Sequence, residues 1–147
     1  MKNLRFFGLV IILTLFAFNL AAAQDDGRKL YTTLSGSTEV PGPGDPDGSG
    51  SATITLNQGQ GQVCFELTVA NLAPVTAAHI HEAPAGKAGP PVVTLTPLPT
   101  GDSSSGCVSA DPELIKRIRQ NPENFYVNVH TGEFPDGAIR GQLSKKG

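Results

Sequence analysis

The chain contains three histidines, and two of them form the pair His79-Ile80-His81. In an extended strand successive side chains leave opposite faces, so both rings of such a pair emerge on one side. The third, His130, closes the run Phe125-Tyr126-Val127-Asn128-Val129-His130. Alternation there sends Phe125, Val127 and Val129 inward and Tyr126, Asn128 and His130 outward. If the two strands are neighbours, three imidazoles share the outer surface of one sheet. Three neutral imidazole nitrogens with a position left open suit copper or zinc. The competing reading is three surface histidines that serve only as hydrogen-bonding groups, because the long interval between His81 and His130 fits many arrangements.

Residues that share this face or follow it closely are candidates to support the site. Tyr126 and Asn128 alternate outward with His130, Arg140 does so on a later strand, and Glu133 and Asp136 lie in the turn after His130. Other motifs carry less chemistry. Asp45-Pro46-Asp47-Gly48 has the acidic look of a calcium loop but lacks the further oxygen ligands and the distal Glu, so it reads as a turn. Ser103-Ser104-Ser105 has no strand-to-helix elbow around it and reads as a solvated loop.

The elements that must hold these residues are short strands. Period-two or β-branched runs recur at residues 30–40, 51–56, 62–71, 76–83, 92–98, 106–110, 124–130 and 138–143, with Gly and Pro turns between them. Such spacing argues for an all-β antiparallel sandwich or barrel of about eight strands. One segment differs. Asp111 can cap, Pro112 suits a first helical position, and Leu114, Ile115 and Ile118 make one apolar stripe, which predicts a short helix over residues 112–120 that covers one end of the sandwich. Asn121-Pro122 ends it.

In Val63-Cys64-Phe65-Glu66-Leu67, alternation buries Val63, Phe65 and Leu67 and turns Cys64 outward; Cys107 likewise faces away from Val108. A Cys64–Cys107 disulfide would therefore staple neighbouring strands, or a strand to a loop, on the surface. Both cysteines lie in the part expected to reach an oxidising compartment, where a disulfide is the default and a free thiol pair the alternative.

That compartment is read from the first residues. Lys2 and Arg5 precede an apolar run over residues 6–18 and the small stretch Ala21-Ala22-Ala23, the pattern of a secretory signal peptide with cleavage after Ala23. The run is shorter than the roughly 20 residues a membrane span needs, so no membrane association is expected after cleavage. Residues 24–147 then form a single domain, secreted or periplasmic. Without Lys2 and Arg5, the 11 basic residues fall to 9 against 13 acidic ones, a net charge of −4. This argues against a nucleic-acid partner, whose binding needs a basic surface.

The segments Leu34-Ser35-Gly36-Ser37-Thr38-Glu39-Val40-Pro41, Ala77-Ala78-His79-Ile80-His81 and Gly89-Pro90-Pro91-Val92-Val93 resemble the CHRD (chordin-type) domain. So do Phe125-Tyr126-Val127-Asn128-Val129-His130-Thr131 and Gly137-Ala138-Ile139-Arg140-Gly141-Gln142-Leu143. Ala138 stands where that family usually has an acidic residue. The resemblance implies a Greek-key sandwich related to that of the Cu/Zn superoxide dismutases, in which an H-x-H strand and a late V-x-H strand supply copper ligands. Carried over, it assigns His79, His81 and His130 to copper. With no fourth histidine, the ligand that bridges copper and zinc and the zinc-site histidines have no counterpart, which leaves at most a mononuclear site. Arg140 is not equated with the dismutase guiding arginine. The expected function is binding of one copper ion, with zinc as the alternative metal, and little or no superoxide dismutation. The rivals are an extracellular protein-binding module without metal, since chordin-type domains occur in matrix and growth-factor-binding proteins, and a dismutase-like copper redox enzyme.

Overall fold

The computed structural model describes residues 27–146, so the export segment read over residues 1–23 lies outside the described residues. The strands are β1 (Arg28–Ser35), β2 (Ser49–Asn57), β3 (Gln62–Ala70), β4 (Val75–Glu82), β5 (Pro91–Thr94), β6 (Ser103–Ser109), β7 (Phe125–Thr131) and β8 (Ile139–Gln142). They pair antiparallel in the order β5-β4-β7-β8-β1-β2-β3-β6. Between β8 and β1 the ladder narrows to Ser35 opposite Arg140, with an isolated bridge from Tyr31 to Ser144. At this seam the sheet folds over, and the leaf β5-β4-β7-β8 faces the leaf β1-β2-β3-β6. Because β6 returns beside β3 and β7 beside β4, the chain crosses between leaves in Greek-key fashion.

Alternation accounts for the core. Ile54 and Leu56 of β2, Val63, Phe65 and Leu67 of β3, Ile80 of β4, and Val127 and Val129 of β7 belong to one buried cluster. The helix α1 (Pro112–Gln120) closes one end, with Ile115 and Ile118 fully buried. Its cap is the expected one: the Asp111 carboxylate accepts from the backbone N–H groups of Glu113 (2.7 Å) and Leu114 (3.3 Å). On the outside of the other leaf, Cys64 of β3 sits directly opposite Cys107 of β6, and the two form a disulfide between neighbouring strands. Asp45 serves a turn, accepting from the N–H groups of Asp47 and Gly48.

Two expectations give way to tertiary contacts. Ser103, Ser104 and Ser105 are not a loop: they open β6, opposite Thr68, Leu67 and Glu66 of β3. Pairing with a neighbouring strand overrides the weak strand preference of serine. Residues 36–40 do not prolong β1; Gly36–Thr38 form a 3-10 turn instead. A Cβ at Gly36 would collide with the Asp45 carbonyl, so the loop between β1 and β2 closes on itself there and carries Glu39 inward.

Candidate metal centre

The β4–β7 pairing brings the histidines together. Its register sets Ala77 opposite His130, His79 opposite Asn128 and His81 opposite Tyr126, so His79 and His130 are diagonal neighbours. The ring centroids lie 5.5 Å apart for His79 and His81, 5.2 Å for His79 and His130, and 5.9 Å for His81 and His130. One nitrogen from each ring lies within 4.8 Å of the others. His79 Nδ1 and His130 Nε2 are 3.3 Å apart. Two nitrogens on one tetrahedral ion, each about 2.0–2.1 Å from it, stand at about that separation.

Hydrogen bonds decide which nitrogen faces the centre. His81 Nδ1 is 2.8 Å from the Gly89 carbonyl and His130 Nδ1 is 2.9 Å from the Pro135 carbonyl. A carbonyl only accepts, so each Nδ1 carries the proton and each Nε2 keeps its lone pair. His79 Nδ1 then donates to His130 Nε2. His81 Nε2 is buried without a partner among the described residues. Desolvation is the main cause that lowers the His79 and His81 pKa values below the usual 6.5. The neighbouring imidazoles add to this, and for His81 the Gly89 bond opposes it. Both rings are therefore neutral at pH 7, the state in which imidazole is a ligand.

The family model for the CHRD domain matches residues 30–143. The chain belongs to the CHRD-domain family. Comparison with curated proteins finds no match, and neither does comparison with solved structures.

The CHRD domain places its outward-facing residues less openly than alternation suggests. His79 and His130 are half-buried, whereas His81 is only 9% exposed, Tyr126 3%, and Asn128 and Arg140 2% each. The expected surface site is thus roofed, because loops from both sides fold across the leaf. Residues 83–90 cover His81 and Tyr126, while Glu39, from the loop between β1 and β2, accepts from Asn128 Nδ2. Asn128 Nδ2 also donates to the Ile139 carbonyl. Tyr126 stacks on His81 with centroids 4.9 Å apart and planes 15° apart, and the Arg140 guanidinium lies 3.4 Å from the Tyr126 ring centre.

Glu133 and Asp136 are exposed, and neither makes an ion pair or side-chain hydrogen bond with the histidines among the described residues. The turn that holds them contributes the Pro135 carbonyl instead. Besides Pro135, two further participants escape the sequence reading. Glu39 lies in a stretch that reads as strand, and burial raises its pKa to about 7 against the attraction of Arg140 and the Asn128 hydrogen bond. Gly89 acts through its backbone, which residue type does not advertise.

Proposed function

We propose that this CHRD-domain protein is exported through the signal segment at residues 1–23, to the cell exterior or the periplasm. There it binds one copper ion through His79, His81 and His130, in metal binding or homeostasis. The observation that carries this reading is the buried, unpartnered His81 Nε2 beside the 3.3 Å pair His79 Nδ1 and His130 Nε2. A buried polar atom without a partner costs about 1–3 kcal/mol, and a metal ion is a partner that three convergent imidazole nitrogens fit. The likeness of the H-x-H and V-x-H strands to those of the Cu/Zn dismutases supports copper over zinc. All-nitrogen ligation favours copper in affinity as well.

His81 and His130 already hold the ligating tautomer; His79 must move its proton from Nδ1 to Nε2. A bound copper ion would supply Lewis acidity and a one-electron couple, and the position left by three protein ligands would take water or another small ligand. Untagged protein is to be titrated with copper(II) and zinc(II) by calorimetry, alongside His79→Ala, His81→Ala and His130→Ala. The expected result is one ion per chain, copper tighter than zinc, with each variant losing at least tenfold. Equal affinity in all four proteins contradicts the reading and returns the chain to a metal-free extracellular module.

A further inference from the structure

The tautomer of His81 depends on one carbonyl, and that carbonyl belongs to a loop. Residues 83–90 leave β4 directly after the His79-Ile80-His81 run and fold back over it. A Cβ at Gly89 would collide with the Glu82 carbonyl, so only glycine allows so close a return. The Glu82 N–H donates to the Pro90 carbonyl at 3.1 Å and closes the loop at its base.

Side chains of β7 and β8 pin the rest of it. Gln142 Nε2 donates to the Ala83 carbonyl (2.8 Å) and Arg140 Nη2 to the Pro84 carbonyl (3.2 Å). The Tyr126 hydroxyl grips both sides of Gly89, accepting from its N–H at 3.1 Å and lying 3.4 Å from its carbonyl oxygen. The Tyr126 ring is in turn held between the His81 imidazole and the Arg140 guanidinium. Arg140 is 2% exposed; besides this stack and the Pro84 carbonyl, its guanidinium reaches Gln142 Oε1 and attracts Glu39. Among the described residues no comparable device surrounds His130, whose Nδ1 bonds to the Pro135 carbonyl in a turn that follows it directly.

We propose that Tyr126, backed by Arg140, is a positioning residue: it fixes the Gly89 peptide so that its carbonyl accepts a hydrogen bond from His81 Nδ1–H and the Nε2 lone pair is left for the metal. This rests on the trio being a metal site. Partners that orient a ligating histidine through its second nitrogen are commonly worth 10–100-fold in metal affinity. Tyr126→Phe keeps the stacked ring and removes only the hydroxyl.

The test has a metal-free arm and a metal arm. Long-range proton–nitrogen NMR of the histidine rings in metal-free protein is expected to show His81 as the Nδ1–H form in the wild type. In Tyr126→Phe the Nε2–H form of His81 gains population while the tautomer of His130 is unchanged. Arg140→Met, which keeps the length of the stem and removes the guanidinium, is expected to shift His81 in the same direction. Copper(II) titration is expected to show about tenfold weaker binding in Tyr126→Phe.

An Nε2–H tautomer in the wild type overturns the proposal without recourse to any variant. An unchanged His81 tautomer in Tyr126→Phe overturns it as well. If the tautomer shifts but the wild type binds no metal, the positioning role stands and the metal reading fails. If copper binds the wild type and Tyr126→Phe equally, the metal reading stands and the positioning role fails.

Discussion

The two leaves of the sandwich follow the same alternation and put it to different uses. On β1-β2-β3-β6 the outward row Thr33, Ser51, Thr68 and Ser103 is exposed, with Ser51 and Thr68 joined at 2.8 Å through their hydroxyls, and the disulfide lies on the same side. On β4-β7-β8 the outward residues His81, Tyr126, Asn128 and Arg140 are buried, because two loops roof them. Alternation separates inward from outward; it does not say whether outward means water. A roof converts a polar sheet face into a site, since groups cut off from water must satisfy one another or a ligand.

The staple on the open leaf should matter to stability and not to the histidines. Replacing Cys64 and Cys107 by serine is expected to lower stability by about 4 kcal/mol in the chain-entropy account of a loop of 43 residues. Copper affinity should remain within twofold of wild type, because the disulfide lies on the opposite leaf from the histidines. Chemical denaturation beside copper titration checks both halves, and loss of copper binding would break the separation of the leaves.

The roofed leaf should respond to pH where the open leaf does not. Glu39 has a pKa of 4.5 in a free chain and about 7 in the fold. The folded state therefore holds this proton more tightly, and its stabilising effect is full below pH 4.5 and lost as pH rises through about 7. Glu39→Gln should match the wild type at pH 4 and exceed it at pH 8 by up to about 3 kcal/mol. Urea denaturation at the two pH values measures this, and equal stability at pH 8 would show that the carboxylate is not confined by the roof.

The histidines carry the opposite sign. His79 and His81 sit below the usual 6.5, so the unfolded chain takes up their protons first, and their share of stability is present above pH 6.5 and lost below it. Protonation of these two rings should accordingly weaken copper binding as pH falls below 6.5, which competition with a chelator at stepped pH would show. The smallest expected effect is catalytic. In a superoxide assay the copper-loaded protein should be no faster than the same amount of free copper, because the chain has only three histidines and none is left to bridge or bind a second metal.

Much of this was legible in the residues. The eight strands, the capped helix and the cysteine pair follow from period-two runs, Asp111-Pro112 and the outward positions of Cys64 and Cys107. The meeting of His79, His81 and His130 follows once β4 and β7 are neighbours. What stayed hidden depends on backbone and on distance along the chain. Gly89 contributes a carbonyl, Pro135 another, and Glu39 reaches Asn128 across 89 residues. Ser103 to Ser105 become strand only because β3 offers them a ladder.

If the roofed face holds one copper ion through three imidazoles, the ligands can be counted directly. X-ray absorption at the copper edge of the loaded protein counts imidazole ligands through their multiple scattering. Three are expected in the wild type and two in His81→Ala. A spectrum with oxygen ligands and no imidazole, or one that His81→Ala leaves unchanged, would contradict this ligand set.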